Sequence, residues 1–183
     1  MYKRMLIPVD GSDTSNAGLD EALRLAEAHG AEVCLMHIVN EFVLDETGTL
    51  GRYSEDLFES LREAGKKILD DAEKAFFAKH VPATRVMLES IGGVAADLIL
   101  EQAREWRADV IIMGTHGRRG LFRLALGSDA EQVVRGAETP VILVRKPASR
   151  ISRKERGSVG DNRSRFPKVA NGVKTIPAGT ARP

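Results

Sequence analysis

The first part of the chain alternates between two patterns of apolar residues. Short, nearly continuous apolar runs predict strands at residues 3–9, 31–39, 84–90, 109–114 and 141–145. Between them, apolar residues recur at helical spacing and predict four helices, the longest of which ends near His80, before Pro82. Residues 40–54 carry no clear pattern. The chain therefore predicts five strands that alternate with four helices.

This alternation indicates the fold class. Strands of near-continuous Val, Ile and Leu, separated by amphipathic helices, are typical of a parallel sheet that is covered on both faces. We therefore predict an α/β fold with a doubly wound parallel sheet. Ligands of such sheets bind outside the carboxyl ends of the strands, where the strand order reverses. Asp10 and Gly114, at the ends of two predicted strands, are the first candidates for a binding site.

The loop after the fourth predicted strand is rich in glycine, with Gly114, Gly117, Gly120 and Gly127. Glycines let backbone N–H groups approach a phosphate closely, and a helix that starts near Gly127 attracts the same anion. A tight strand-to-helix connection is the alternative explanation. The sequence SDAE at 128–131 fits a capping box, which predicts that the Ser128 hydroxyl bonds to its own helix.

The spacing of these residues carries a family resemblance. The chain has neither a G-x-x-x-x-G-K-[ST] motif nor a G-x-G-x-x-G motif after the first strand. It has instead G-x2-G-x9-G-[ST], formed by Gly114, Gly117, Gly127 and Ser128. Together with the segment Met5 to Ser12, LMHIV at 35–39 and TPVILVR at 139–145, this motif resembles the ATP-binding branch of the universal stress protein family. The resemblance covers about residues 2–146.

The resemblance implies both a topology and a ligand. It implies a Rossmann-like, five-stranded parallel sheet in the order 3-2-1-4-5, with adenine nucleotide between strands one and four. The expected cofactor is ATP, alone or with Mg²⁺. The resemblance also implies a homodimer that forms through the last strand, Val141 to Val144.

Individual positions can be carried over from the family pattern. Pro8, Val9 and Asp10 match the strand-one end that lines the adenosine site, and the backbone of Ile38 matches the group that meets adenine. The floor of the site beside the ribose is matched by Met113 and Gly114. The phosphate-side loop is matched by His116, Gly117, Gly127 and Ser128.

Two acidic residues keep alternative interpretations open. Asp10 suits ribose hydroxyls as a hydrogen-bond acceptor, but it is also a candidate cap or turn residue of the first helix, with Asp13 as another candidate cap. Asp129 stands where many relatives have a small apolar residue. Its charge favours the helix dipole and repels a phosphate, unless a Mg²⁺ ion bridges the two.

Composition excludes several other classes of protein. The single cysteine, Cys34, allows no internal disulfide, and the four histidines have no metal-ligand spacing, so we expect no structural metal. His37 and Cys34 lie in an apolar run and are predicted to be core residues. No apolar run is long enough to span a bilayer, and no secretory signal is present at the N-terminus. We therefore expect a cytoplasmic protein.

The charge distribution divides the chain into two parts. From Lys146 to Pro183 there are ten Lys and Arg against Glu155 and Asp161, a net charge of +8, whereas the rest carries −7. The tail has few large apolar residues and no sustained periodicity, which is typical of disorder. We therefore predict a domain over residues 1–146 and a basic, disordered tail over residues 147–183.

Three functions fit this sequence. The first is a nucleotide-dependent regulatory module in the stress response, in which bound ATP orders the loops around the crevice. The second is a slow, metal-dependent ATPase with Asp129 at the metal. The third is a dimeric scaffold whose basic tail binds nucleic acid or an acidic partner. No nucleophile signature or fixed pair of carboxylates supports efficient catalysis, so the first is preferred.

Overall fold

The structure is a computed structural model that describes residues 2–40, 42–44, 50–52, 54–90, 94–115 and 126–145. Two predicted site residues, His116 and Gly117, lie outside the described residues, as does the predicted basic tail over residues 147–183. The elements follow the chain in the order β1 Arg4–Pro8, α1 Asp13–His29, β2 Glu32–Asn40, β3 Phe42–Leu44, β4 Leu50–Arg52, α2 Glu55–Phe77, β5 Ala83–Ser90, α3 Ala95–Glu105, β6 Val110–Gly114, α4 Ser128–Gly136 and β7 Val141–Val144.

The main sheet has the predicted topology. Its strands run in the order β5-β2-β1-β6-β7, and every neighbouring pair is parallel. Numbered within this sheet alone, the order is 3-2-1-4-5, which confirms the expectation drawn from the family resemblance. The predicted helices and strands are confirmed to within a few residues at their ends.

The segment without a pattern, residues 40–54, contains a small hairpin that the sequence analysis missed. Strands β3 and β4 pair antiparallel, with Val43 opposite Gly51, and form a separate two-stranded sheet. Each strand has only three residues. A run of three residues is too short to show the period of two that identifies a strand.

Two apolar layers cover the two faces of the sheet. In β2, Val33 and Leu35 belong to the layer with α1 and α2, whereas Cys34 and Met36 belong to the layer with α3 and α4. This alternation follows from the period of two in a strand, which sends successive side chains to opposite faces. The helices therefore cover both faces, as predicted for a doubly wound fold.

The helix caps correct two of the sequence predictions. Helix α1 is capped by Ser12, whose hydroxyl accepts the N–H of Ser15 at 3.2 Å, so the candidate cap Asp13 was wrong. The capping box predicted for Ser128 is also wrong, because the N-cap of α4 is Gly127, which has no side chain with which to cap the helix. Ser128 is instead the first residue of the helix. A side-chain cap comes from the residue before the helix, so the Ser128 hydroxyl is one position too late to form one.

Helix α1 packs unusually close to the end of β6. A Cβ atom at Gly114 would lie 2.6 Å from both the backbone carbon and the oxygen of Thr14, in the first turn of α1. A Cβ at Gly18 would lie 3.1 Å from the nitrogen of Gly114. Two glycines thus allow backbone to meet backbone. Close packing with α1 therefore requires glycine at position 114, whether or not this residue also contacts a phosphate.

Gly114→Ala is therefore expected to destabilise the fold by about 2 kcal/mol or more, because the new methyl group overlaps backbone atoms that cannot rotate away. Urea denaturation followed by circular dichroism measures the change. The matched control is Gly136→Ala, whose Cβ would meet only the flexible end of Leu100, at 2.7 Å. Its effect should stay within about 1 kcal/mol of wild type, and equal effects of the two substitutions would contradict this account.

Candidate functional site at the carboxyl edge of the sheet

The strand order reverses between β1 and β6. Strand β1 continues through α1 to β2 on one side, and β6 continues through α4 to β7 on the other. The two strands pair in parallel, with Leu6 opposite Ile111. From these two carboxyl ends the chain continues to α1 on one face of the sheet and to α4 on the other, and in doubly wound sheets such a divergence leaves a crevice. The candidate crevice lies between Val9 and Asp10 after β1 and Gly114 and Thr115 at the end of β6.

A network of short hydrogen bonds shapes the end of β1. The N–H of Val9 donates to the carbonyl of Met36 at 2.8 Å, which extends the pairing with β2. The N–H of Asp10 donates to Oγ of Ser15 at 3.1 Å, and Oδ1 of Asp10 accepts the N–H of Ser12 at 2.9 Å. The interpretation of Asp10 as a turn residue is therefore confirmed. Asp10 is partly exposed and directly follows Val9 beyond the end of β1.

Strand β2 contributes a buried histidine beside this turn. His37 is 5% exposed, and its Nδ1 lies 2.6 Å from the carbonyl oxygen of Val9. This contact confirms the prediction of a core histidine with a satisfied hydrogen bond. The side chain of the next residue, Ile38, is partly buried and packs against the layer with α3 and α4. Its strand, β2, is the neighbour of β1, which Asp10 follows.

The end of β6 is joined directly to the start of α4. The N–H of Thr115 donates to the carbonyl of Val144 at 3.0 Å, and the N–H of Gly127 donates to the carbonyl of Thr115 at 2.9 Å. The second bond holds the start of α4 beside the end of β6. The N–H groups of Ser128, Asp129 and Ala130 have no acceptor within the helix, because they belong to its first turn. They offer donors to an anion at this edge.

The structure brings most of the predicted site residues to this one edge. Those at the ends of β1 and β6 or the start of α4 are Pro8, Val9, Asp10, Met113, Gly114, Gly127, Ser128 and Asp129. Ile38 lies on the neighbouring strand β2. Met113 is only 8% exposed, because its side chain packs in the layer with α3 and α4. Asp129 is exposed in the first turn of α4.

Sequence reasoning missed some of the buried polar groups near this edge. Among the described residues, the buried polar side chains are Ser15, His37, Ser90 and Thr115. All four lie toward the carboxyl edge, in α1 or near the ends of β2, β5 and β6. A polar residue within or just after an apolar run is the signal that identifies His37 and Thr115. Ser15 carries no such signal, since it follows other polar residues.

The part of the chain that the structure describes contains neither a candidate metal-ligand cluster nor a candidate membrane-spanning helix. No group of three or more His, Cys, Asp or Glu side chains there is placed to hold a metal ion. In the same residues, no helix combines the length and apolarity needed to cross a bilayer.

The cysteine lies in the core of the sheet, away from the crevice. Cys34 is completely buried, and burial raises the pKa of its thiol, although a hydrogen bond with Thr84 and the charge of Arg4 oppose this shift. A raised pKa keeps the group a thiol at neutral pH, and thiols are poor nucleophiles.

Cys34 should therefore not react with a thiol reagent such as DTNB in the folded protein at pH 7. One equivalent should react after denaturation in guanidinium chloride. Rapid stoichiometric labelling of the native protein would contradict the burial described here.

The fold and the crevice define a class of protein: a doubly wound α/β domain with a candidate anion and ligand site at its switch point. Comparison with known proteins gives the family. The model of the universal stress protein family matches residues 1–145. Universal stress protein MJ0531 of Methanocaldococcus jannaschii is 39% identical over 150 residues, which are 80% of this chain and 84% of that protein.

Further relatives agree with this assignment. Universal stress protein YxiE of Bacillus subtilis is 30% identical over 79% of this chain and its own full length. The solved structure of protein MJ0577 superposes with a TM-score of 0.67, at 26% identity, over 81% of this chain and 99% of that one. The universal stress protein of Archaeoglobus fulgidus in complex with dAMP superposes with a TM-score of 0.55, at 25% identity, over 78% and 98%. The chain belongs to the universal stress protein family.

Proposed function

We propose that the crevice between the ends of β1 and β6 binds an adenine nucleotide, with ATP as the expected ligand. One observation carries the proposal: a carboxylate and the uncapped start of a helix are brought to the same switch point. Asp10 follows β1, and Gly127 is bonded to Thr115 beyond β6. A nucleotide needs both, because its ribose offers hydroxyl donors and its phosphates need N–H donors.

At the nucleoside end, the strands supply the contacts. The carboxylate of Asp10 accepts hydrogen bonds from the ribose hydroxyls. The backbone of Ile38 meets the adenine edge, Pro8 and Val9 line the adenosine site, and Met113 and Gly114 form the floor. Main-chain donors and acceptors suit this task because their positions are set by the pairing of β1 with β2.

At the phosphate end, the amide groups of α4 act together with the positive end of its dipole. The side chains of Ser12 and Ser54 cap α1 and α2, whereas the N-cap residues of α3 and α4 make no side-chain cap. Of these two helices, α4 is the one that follows β6 at the switch point. Glycine as the cap of α4 leaves the first-turn amides to a ligand. We propose that Gly117 and His116 also contact the phosphates.

A solved relative supports the ligand class. The Archaeoglobus fulgidus protein, at 25% identity, is in complex with dAMP, an adenine nucleotide. ATP belongs to the same class and shares the base and the phosphate group nearest the sugar. The comparison therefore supports an adenine nucleotide as the ligand class.

The proposed role is regulatory: nucleotide binding selects one state of the loops at this edge, and that state signals in a stress response. Such a switch requires the nucleotide to bind the two loop states with different affinity. The exposed carboxylate of Asp129 allows an alternative, a slow ATPase in which Mg²⁺ joins Asp129 to the phosphates. ATP turnover that requires Mg²⁺ and is lost in Asp129→Ala would favour the enzyme.

Gly127→Asp tests the phosphate end of the site. The new carboxylate caps α4 and repels a phosphate, so thermal stability should be retained or rise while the affinity for AMP falls about tenfold or more. Calorimetric titration with AMP and with adenosine measures the effect. The affinity for adenosine should change little, since it lacks the phosphate.

Gly127→Ala is the control for this experiment. The φ of Gly127 is −64°, so alanine fits the backbone, and the variant adds no charge. It should bind AMP much more tightly than Gly127→Asp does. Unchanged AMP affinity in Gly127→Asp would exclude the start of α4 as the phosphate site.

We also propose that two copies of the chain pair through β7. The N–H of Thr115 bonds to the carbonyl of Val144, and the N–H of Ile111 bonds to the carbonyl of Pro140. The backbone groups of the even-numbered residues of β7 therefore point toward β6. The backbone groups of Val141 and Leu143 then point to the side of β7 on which no described strand lies. All four side chains of β7 are only partly buried. An apolar edge strand of this kind invites a partner strand.

Leu143→Pro removes an outward N–H from this edge and leaves the pairing with β6 in place. Analytical ultracentrifugation should give twice the mass of the chain for wild type and a larger monomer fraction for the variant. Val134→Ser, an exposed position on α4, is the control for lost apolar surface. A wild-type monomer at concentrations of about 100 μM would contradict the proposed dimer.

A further inference from the structure

The peptide unit between Val9 and Asp10 is held at both ends by buried side chains. Its carbonyl oxygen lies 2.6 Å from Nδ1 of His37, and its N–H donates to Oγ of Ser15 at 3.1 Å. Both side chains are 5% exposed. Because a peptide unit is planar, fixing its oxygen and its hydrogen fixes its rotation about the chain.

The two side chains come from different elements on either side of this peptide. His37 belongs to β2 and Ser15 to the first turn of α1. The N–H of Val9 is also fixed, by the carbonyl of Met36. The direction in which the chain leaves β1 is therefore set by three hydrogen bonds to three separate partners.

The imidazole ring of His37 is itself held between the Val9 carbonyl and helix α2. The carbonyl oxygen of Val9 has no hydrogen, so Nδ1 of His37 carries the proton and donates it. On its other edge the ring faces α2 at Gly65, where a Cβ would lie 2.6 Å from Cδ2 and 3.0 Å from Nε2. Glycine leaves room for the ring at this point, and the helix backbone prevents the ring from moving away from Val9.

We propose that His37 and Ser15 are positioning residues of the nucleotide site. They hold the Val9–Asp10 peptide so that the carboxylate of Asp10 is directed to the ribose. The inference rests on the proposed function and adds two residues that need not touch the ligand. It also gives a reason for burying two polar side chains here, which costs free energy unless each is hydrogen-bonded.

A comparison of His37→Leu with His37→Asn separates positioning from a purely structural role. Asparagine places an N–H donor near the position of Nδ1, whereas leucine has none. Both variants lose the ring that packs against Gly65, so both should lower the melting temperature. The affinity for AMP, measured by calorimetry, should fall about tenfold in His37→Leu and stay within about threefold of wild type in His37→Asn.

The Asp10→Ala background provides a second readout. If His37 acts through the Asp10 carboxylate, His37→Leu should cause little further loss of AMP affinity once that carboxylate is absent. A histidine that only stabilises the fold would cause the same loss in both backgrounds.

Ser15→Ala tests the other end of the peptide and replaces the histidine variants if His37→Leu does not fold. It should weaken AMP binding about fivefold to tenfold. The matched control is Ser90→Ala, which removes another buried serine hydroxyl at the end of β5, two strands from β1. That variant should bind AMP as wild type does.

The outcomes distinguish this inference from the proposed function. A wild-type protein that binds neither AMP nor ATP would overturn both. A wild-type protein that binds AMP, with equal affinities in His37→Leu and His37→Asn or with equal losses in the Asp10→Ala background, would overturn the positioning role alone. Where the Ser15→Ala pair replaces them, equal affinities of Ser15→Ala and Ser90→Ala would do the same.

Discussion

The contact between the first turn of α1 and the end of β6 is the constraint on which the rest of the site depends. Gly18 and Gly114 let the helix backbone lie directly against the strand backbone. A side chain at Gly114 would overlap the backbone of Thr14 and Ser15 and would push the first turn of α1 away from the end of β6. This packing therefore sets the position of the turn that contains Asp10, and with it one wall of the crevice.

The two edges of the sheet show different uses of polar groups. At the amino edge, Arg4 lies 4.2 Å from the ring of Trp106 and donates to its carbonyl, while Asp109 accepts the N–H groups of Lys3 and Arg4. These interactions tie the ends of strands and helices to one another. At the carboxyl edge, Ser15 and His37 instead hold the turn after β1, and the backbone carbonyl of Thr115 holds the start of α4.

The fold could be predicted largely from the pattern of the sequence, whereas the details of the site could not. Long strands and helices each repeat their pattern over enough residues to be recognised, and β2 and α2 are the clearest cases. The strand order came from the family resemblance, because periodicity does not encode the order of parallel strands. Strands β3 and β4 were missed because three residues show no period.

The errors at the site have a common physical cause. Capping depends on which residue first takes helical angles, and the sequence SDAE at 128–131 is the same whether the N-cap is Gly127 or Ser128. The roles of Gly114 and Ser15 depend on how closely α1 approaches β6, which is a tertiary property. Position in the sequence predicted Asp10 and Gly127 as site residues, and it did not predict the contacts that hold them.

A crystal structure of the protein grown with ATP tests the central claim most directly. The account predicts electron density for the nucleotide across the carboxyl ends of β1 and β6, with the ribose hydroxyls on Asp10 and a phosphate within hydrogen-bond distance of the first-turn amides of α4. Nucleotide density at another face of the sheet, or a crevice that stays closed at saturating ATP, would contradict it.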